Sequence, residues 1–261
     1  MRFDDFDAKM REFETAHDYC VLPSLYMVAR LDGRNFTRLT KEVHQFDVPF
    51  DTQFRDYMIE TVKHLMNCGF KVNYAYTHSD EISLLFALNE DSFNRKIRKY
   101  NSVLAAEASA KFSLLLADSG CFDCRISQLP TTDLVCDYFR WRQEDAHRNA
   151  LNSHCYWLLR REEQSPQAAT AALLGLSVAD KNELLFRQGI NFNDLPNWQK
   201  RGVGFYWESY EKQAMNPKLG TPVTAIRRRI RCELDLPMKD EYSQFLLERV
   251  LKVNAISWRQ T

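Results

Sequence analysis

Two short acidic motifs each follow an apolar segment that predicts a β-strand. Residues 30–36 are Arg-Leu-Asp-Gly-Arg-Asn-Phe, and residues 78–83 are His-Ser-Asp-Glu-Ile-Ser. Asp32 and Asp80 would therefore lie at the ends of two strands, with Glu81 beside them. Paired carboxylates on neighbouring strands are what a site needs to hold Mg²⁺ against nucleotide phosphates. The motifs predict phosphoryl or nucleotidyl transfer, and they leave open whether Glu81 faces the metal or the opposite side.

The same motifs supply groups for a triphosphate. Two carboxylates can hold two Mg²⁺ ions about 3.5–4 Å apart, one activating a nucleophilic oxygen and one bridging phosphate oxygens. Gly33 allows a close backbone approach, so its carbonyl is a candidate metal ligand. The backbone amides of residues 34–37 would bind phosphate as an anion-binding loop. An ordinary pair of polar turns accounts for these residues equally well, because Asp-Gly and Ser-Asp are common in turns.

Two helical segments carry further polar residues. Lys96 and Lys99 share a helix face and would supply positive charge to a triphosphate, although a solvated surface stripe is the commoner explanation of such a run. Residues 141–149 are unusually polar for a core helix. Their arginines and His147 suit contact with RNA phosphates or with a base, and structural hydrogen bonding explains them equally well.

Apolar periodicity predicts the elements that must position these residues. Strands are expected at residues 25–31, 70–76, 82–88 and 122–128. Helices are expected at residues 3–20, 50–68, 93–117 and 131–160, with two short helices within 166–187. From the first strand onward the order is β-α-β-β-α-β, which is the ferredoxin-like arrangement and also the core of polymerase palm domains. The sequence therefore predicts an α+β fold with a ferredoxin-like, polymerase-palm-type core and additional helices.

The composition changes after about residue 210. The segments expected here are an irregular stretch at 189–207, a Pro/Gly/Thr linker at 216–222, an arginine cluster at 227–231 and an amphipathic helix at 240–253. We therefore divide the chain into a palm-like catalytic domain, residues 1–209, and a basic C-terminal extension, residues 210–261, without a core of its own. Contact with RNA phosphates and a subunit interface suit the arginines equally well.

Bulk composition is that of an ordinary globular protein. The 261 residues are 45% hydrophobic, and 35 basic residues balance 35 acidic ones. A nucleic-acid partner would therefore require segregated basic charge. The acidic N-terminus lacks a secretory signal and no apolar stretch reaches the length of a membrane span, so a cytoplasmic location and seven free cysteine thiols are expected. The chain contains no P-loop, no dinucleotide-binding glycine motif and no nucleophile elbow.

Six motifs in a fixed order resemble the tRNA-histidine guanylyltransferase family and its guanylyltransferase-like 3′–5′ polymerase relatives. They lie at residues 30–36, 79–83, 122–125, 141–145, 180–186 and 190–193. The resemblance covers roughly residues 3–207. It implies a palm-like fold and addition of nucleotides to the 5′ end of tRNA, with Mg²⁺ as cofactor, ATP and GTP as substrates and a homotetrameric assembly.

The resemblance also implies roles for individual residues. Catalytic residues would be Asp32, Asp80 and Glu81, and metal ligands would be Asp32, the Gly33 carbonyl and Asp80. Nucleotide-binding residues would be Asp32, Gly33, Arg34, Asn35, Phe36, Thr37, Ser79, Asp80, Lys96 and Lys99. Contacts to tRNA or to a second nucleotide would come from Arg125, His147, Asn149, Lys181, Asn191 and Asn193.

The family mechanism activates a 5′-monophosphate with ATP, after which the 3′-hydroxyl of an incoming nucleotide attacks and expels AMP. Two departures from the eukaryotic pattern resemble the bacterial-type branch. The family segment His-Ile-Asn-Asn-Leu-Tyr-Asn is His-Arg-Asn-Ala-Leu-Asn-Ser at residues 147–153, and a family lysine before a proline is Val48, ahead of Pro49. That branch favours templated repair of 5′-truncated tRNA, so we expect templated 3′–5′ addition.

Three alternatives remain at this point. The first is a guanylyltransferase that adds a single G to tRNA-His. The second is a nucleotide cyclase with paired aspartates on the same palm-like architecture, which would need no RNA. The third is a non-catalytic RNA-binding protein, which would need no Mg²⁺.

Overall fold

The computed structural model describes residues 1–215 and 221–252. Within them, six strands form one antiparallel sheet in the order β4-β1-β3-β2-β5-β6. The strands are β1 (Tyr26–Arg34), β2 (Val72–His78), β3 (Glu81–Phe86), β4 (Cys121–Leu129), β5 (Val203–Met215) and β6 (Pro222–Glu233).

The α-helices are α1 (Phe3–Thr15), α2 (Phe36–Arg38), α3 (Thr52–Leu65), α4 (Ile97–Leu116), α5 (Thr132–Arg161), α6 (Pro166–Leu173), α7 (Val178–Arg187), α8 (Asn197–Arg201) and α9 (Lys239–Leu246). Shorter 3₁₀ segments are Ser92–Arg95 and Phe192–Asp194, and π-helical segments are Leu39–Val43 and Leu247–Lys252. Among the described residues, none of the helices combines the length and the apolar character that a bilayer span requires.

The predicted α+β, palm-type core is confirmed. Elements β1, α3, β2, β3, α4 and β4 follow one another in the β-α-β-β-α-β order, and their strands lie in the ferredoxin-like order β4-β1-β3-β2. Local signals explain the helix boundaries. Asp51 caps α3 by accepting a hydrogen bond from the Phe54 amide at 2.8 Å, and Thr131 caps α5 in the same way through the Leu134 amide.

The sheet separates two layers of helices. Residues that alternate along β1 and β3, among them Ala29, Leu31 and Leu84, are buried in one core cluster together with side chains of α3 and α4. Their neighbours on the opposite face, among them Val28 and Leu85, are buried in a second cluster with α5 and α9. This alternation is the period-two pattern of a strand that is covered on both faces.

The prediction that residues 189–207 are irregular is wrong in part. Helix α8 lies within it, and β5 begins at Val203. Val203 and Phe205 are buried against the α3 and α4 layer. Gly204 lies between them where a Cβ atom would come within 2.8 Å of the Tyr74 hydroxyl. A glycine at the buried position therefore permits the close contact that joins β5 to the sheet.

Strand β6 pairs with β5 along its length, from Gly204 with Glu233 to Met215 with Pro222. The boundary placed between residues 209 and 210 therefore falls inside β5. Tyr242 and Leu246 of α9 are buried in the α5 layer, and the Tyr242 hydroxyl lies 2.7 Å from that of Tyr74. The helix expected at 240–253 is α9 followed by a π-helical turn, and residue 253 and most of the 216–222 linker lie outside the described residues. The division into two functional parts stays a prediction.

Candidate active site

The end of β1 and the turn between β2 and β3 bring the two acidic motifs together. Asp32 is the direct cross-strand partner of Glu81, the first residue of β3. Ser79 and Asp80 form the two-residue turn that precedes it, and the Gly33 amide donates a hydrogen bond of 3.1 Å to the Asp80 carbonyl. Asp32, Gly33 and Asp80 therefore meet at one edge of the sheet, where the inner strand β1 ends and the inner strand β3 begins, as the sequence predicts.

Gly33 is required by the close packing of this edge. A Cβ atom at residue 33 would lie 2.5 Å from the Phe36 ring and 2.9 Å from the Asp80 Cβ atom. Phe36 itself is buried, and its ring lies 5.0 Å from that of Phe112 and 4.9 Å from that of Phe122. The Phe36 side chain therefore anchors the loop to the core, and only its backbone is available to a phosphate.

The carboxylates of this edge suit a hard divalent cation. Burial raises the pKa of Asp80, and the charge of Asp32 raises it further, while the Ser79 hydroxyl donates to the Asp80 carboxylate at 3.0 Å. Asp32 accepts one long hydrogen bond of 3.3 Å from Arg30. A bound cation would relieve this repulsion.

The described residues contain no group of three or more His, Cys, Asp or Glu side chains that could hold a metal by themselves. Mg²⁺ is commonly held by one or two carboxylates and completed by water and substrate phosphates. Asp32 and Asp80, with the Gly33 carbonyl, therefore fit a magnesium site that a nucleotide completes.

Glu81 points to a pair of arginines. Its carboxylate lies 2.8 Å from Nε of Arg142 on α5 and 3.6 Å from Nε of Arg30 on β1. The Arg142 contact is an ion pair and not a well-aligned hydrogen bond, since Nε has no hydrogen-bond partner among the described residues. Arg142 also donates to Asp145 at 2.7 Å. Burial raises the pKa of Glu81, and the two arginines oppose that rise. Glu81 therefore joins β3 to α5.

A pocket of about 620 Å³ opens beside the carboxylates. Its walls come from α3, the segment before α3, the β2–β3 turn and the middle of α5. Asp32, Ser79 and Asp80 line one part, and aromatic side chains line another, including Phe50, Tyr156, Trp157 and Trp198. Charge at one end and flat apolar surfaces at the other suit a nucleotide, whose phosphates bind metal and whose base stacks.

The predicted anion-binding loop reaches the pocket in part. Phe36 and Thr37 line it, whereas Arg34 and Asn35 are exposed outside it. Asn35 adopts the left-handed conformation, with φ of 61°, immediately before α2. This residue turns the chain so that the backbone after β1 passes the carboxylates.

Lys96 and Lys99 lie at the other end of the sheet. Residue 96 forms an isolated β-bridge with Cys20, and the Arg95 guanidinium donates to the Leu25 carbonyl at 2.6 Å, just before β1 begins. Asp32 lies seven residues further along, or roughly 20 Å at the rise of a strand. Lys96 is paired with Asp18 at 2.5 Å. The structure does not bring these lysines to the carboxylates within one chain.

Of the predicted RNA contacts, Asn149 lines the pocket and donates to Asp145 at 3.3 Å. Arg125 lies on the edge strand β4, opposite Arg30 and two residues from the level of Asp32, and is largely exposed. His147 packs against Phe192 outside the pocket lining, and burial lowers its pKa.

Lys181, Asn191 and Asn193 are not part of the pocket. Lys181 lies on α7, where its carbonyl accepts from Cys155. Asn191 and Asn193 lie on the surface turn around buried Phe192, and the Asn193 carbonyl accepts from Lys200 at 2.6 Å. These residues form a surface separate from the carboxylates.

Several pocket residues escape the sequence reasoning. Ser153, Tyr156 and Trp157 line the pocket from α5, on the same helix face as the predicted Asn149. Their spacing of four, seven and eight residues marks one helix face, a signal that the sequence already contains. Lys41, from the π-helical segment after α2, also lines the pocket, and nothing in its sequence neighbourhood indicates this.

Comparison with known proteins shows which families and structures the chain is similar to. Residues 7–130 match the family model described as tRNAHis guanylyltransferase, and residues 133–241 match the model described as Thg1 C terminal domain. A curated Mus musculus protein named probable tRNA(His) guanylyltransferase is 32% identical over 214 residues, which cover 78% of this chain and 71% of the relative.

Two solved structures are also similar. A bacterial tRNA(His) guanylyltransferase (Thg1)-like protein in complex with GTP has a TM-score of 0.73 and 29% identity, over 93% of this chain and 97% of that one. A structure of the same description in complex with ATP has a TM-score of 0.68 and 31% identity, over 77% of this chain and 88% of that one.

Proposed function

Since the chain belongs to the tRNAHis guanylyltransferase family of nucleotidyltransferases, we propose that it adds nucleotides in the 3′–5′ direction to the 5′ end of tRNA, copying the opposing base. The observation that carries this proposal is the meeting of Asp32 and Asp80 at the mouth of one pocket with a charged and an aromatic part. Similar proteins solved with GTP and with ATP support nucleotide binding by such a chain.

In the proposed reaction Asp32, Asp80 and the Gly33 carbonyl would hold Mg²⁺, which would supply Lewis acidity to the attacking hydroxyl and to the phosphates. The chain itself positions the reactants. The backbone after β1 contacts the triphosphate, and Trp157 or a neighbouring ring stacks on the base. Glu81 stays in its ion pair and keeps the pocket wall in place. Because phosphoryl transfer needs little covalent chemistry from the protein, positioning and charge neutralisation suffice.

The templated mode rests on two features of the sequence. Val48 lies at the position where the family that the chain resembles has a lysine before a proline. Residues 147–153 keep only three of the seven residues of the eukaryotic segment. Both changes are similar to the bacterial-type branch. Addition of a single untemplated G is the second candidate, and the curated relatives named tRNA(His) guanylyltransferase favour it.

The test is extension of tRNAs that lack their first 5′ nucleotide, supplied with Mg²⁺, ATP and four labelled nucleoside triphosphates. Templated repair predicts that the added nucleotide changes when the opposing base is changed, in tRNA-His and in other tRNAs. Addition of G alone to tRNA-His alone would replace it with the second candidate. The Asp80→Ala variant should lose addition in either case.

Magnesium dependence belongs to the same proposal, and omission of Mg²⁺ should abolish extension. No extension of any tRNA, with formation of a cyclic nucleotide from a lone triphosphate, would instead support the cyclase. The homotetramer and the cytoplasmic location stay predictions, and light scattering of the purified chain measures the first of them.

A further inference from the structure

A nucleotide entering the pocket brings several negative charges to a wall that is already acidic. Asp32, Asp51 and Asp80 all line the pocket. Lys96 and Lys99 lie roughly 20 Å away at the rise of a strand, beside the start of β1. The cation that meets the phosphates within this chain must therefore come from another element.

The two arginines of the lining are already paired. Arg142 lies between Glu81 and Asp145, at 2.8 and 2.7 Å. Arg55 lies 2.7 Å from Asp56, and its guanidinium stacks over Trp198 at 4.8 Å from the ring centroid. Moving either guanidinium to a phosphate would break these contacts.

Lys41 is the remaining cation to consider in the lining. It is half-buried in the lining, and its Nζ atom lies 5.8 Å from the centroid of the Trp157 ring on α5. Among the described residues it forms neither a hydrogen bond nor an ion pair within 4.0 Å. Burial lowers the pKa of Lys41, and the charges of Asp51 and Asp80 oppose that change. A partly desolvated ammonium group that has no direct ionic partner gains most from an incoming anion.

We propose that Lys41 binds the phosphates of the nucleotide substrate, from its place beside the Trp157 ring in the pocket that Asp32 and Asp80 also line. This inference rests on the proposed function, because it assigns a residue within the same pocket. A divalent cation on Asp32 and Asp80 would cancel the attraction of Lys41 to Asp80. The flexible lysine stem then allows the ammonium group to turn to the triphosphate.

The position of Lys41 relative to Trp157 adds a second consequence. A base that stacks on the aromatic part of the pocket and phosphates that reach the carboxylates must span the region beside Lys41. The ammonium group therefore lies where the phosphate chain passes, and its contribution should depend on the number of phosphates carried by the ligand.

The experiment compares equilibrium binding of GTP, GMP and guanosine, with Mg²⁺ and without RNA, to wild type, Lys41→Met and Arg38→Met. Arg38 is the matched control, since it lies three residues earlier, pairs with Glu42 and is 77% exposed. We expect Lys41→Met to weaken GTP binding about 10- to 100-fold, the usual range for one charged hydrogen bond. Guanosine binding should not change, Arg38→Met should bind as wild type does, and Lys41→Arg should recover part of the loss.

The remaining outcomes separate this inference from the proposed function. If wild type binds GTP and Lys41→Met binds it equally well, the role of Lys41 is refuted and the proposed function stands. An equal loss for guanosine and GTP would show that Lys41 only supports the pocket wall, which also refutes the inference. If wild type binds no nucleotide at all, both proposals fail.

Discussion

Replacing Arg142 by Met should destabilise the protein more than any other single loss of an arginine from α5. The Arg142 side chain is 9% exposed and lies between the carboxylates of Glu81 and Asp145, whose side chains are 19% and 28% exposed. The substitution keeps much of the apolar stem and removes the charge. Two partly buried carboxylates then face each other without their shared cation.

Breaking a buried ion pair by removing one partner costs about 3–5 kcal/mol, because the other charge is left uncompensated. Glu81 keeps Arg30 at 3.6 Å and some contact with solvent, so we expect the lower end, about 3 kcal/mol. For a chain of this size that corresponds to a fall in Tm of roughly 6–12 °C. Urea unfolding followed by circular dichroism measures the free energy of unfolding directly.

The cost should also depend on pH in a defined direction. The pKa of Glu81 is already raised, first by burial, and loss of Arg142 raises it further. The folded state then binds this proton more tightly than the unfolded chain, so stability falls as the pH rises through the pKa of Glu81. The difference between wild type and Arg142→Met should therefore shrink as the pH is lowered from 7 towards 5.

Arg140→Met is the matched control on the same helix. Arg140 pairs with Glu144 at 3.7 Å and with Asp240 at 3.2 Å, and the Asp240 side chain is 96% exposed. Such surface pairs contribute about 0–1 kcal/mol. Equal losses for the two variants, or a loss for Arg142→Met that grows in acid, would refute the assignment of Glu81 to a buried ion pair and reopen the question of whether Glu81 faces the metal.

Three further outcomes follow from the site and from the arginine cluster. Asp80→Asn should abolish nucleotide addition yet stabilise the metal-free protein at neutral pH. Burial raises the pKa of Asp80, so the folded state loses stability as the pH rises through that pKa. Urea unfolding without Mg²⁺ measures the change, and a less stable variant would contradict it. Gly33→Ala places a methyl group 2.5 Å from the Phe36 ring, so thermal unfolding should show a loss of about 1–3 kcal/mol. Arg227 and Arg231 share one face of the β5–β6 ribbon, and their joint replacement by Ala should weaken tRNA binding and lower its salt slope by about one for each lost phosphate contact; an unchanged slope with an altered mass in solution would indicate a subunit interface instead.

The core of the fold is predictable because its elements bury continuous apolar patterns. The helix expected at 50–68 is α3, Thr52–Leu65, and the strand expected at 122–128 is β4, Cys121–Leu129. The β5–β6 ribbon escapes prediction for the opposite reason. Beyond Phe205 many of its residues are polar, such as Glu208, which is paired with Arg229 at 2.7 Å. Hydrogen bonding between the strands therefore defines the ribbon, and its sequence lacks the regular apolar alternation that would predict two strands.

The candidate site divides in the same way. Asp32, Gly33 and Asp80 belong to motifs at strand ends, and strand pairing alone brings them together. Lys99 shows the limit of local reasoning, since helical spacing gives the face that a side chain occupies but not which end of the sheet the helix starts from. Lys41 shows the converse, because a pocket wall is assembled from elements far apart in the chain and a single lysine carries no sign of that.

The position of Glu81 depends both on strand pairing, which the sequence predicts, and on helix packing, which it does not. Once the turn is limited to Ser79 and Asp80, Glu81 is the first residue of β3, and its pairing with Asp32 places both side chains on the sheet face that α5 covers. Strand geometry thus directs Glu81 towards α5, but only the packing of that helix supplies Arg142 at 2.8 Å. Adjacent acidic residues therefore take different tasks. Asp80 forms no ion pair among the described residues and suits a metal, whereas Glu81 is paired with two arginines and holds the wall against which the nucleotide must bind.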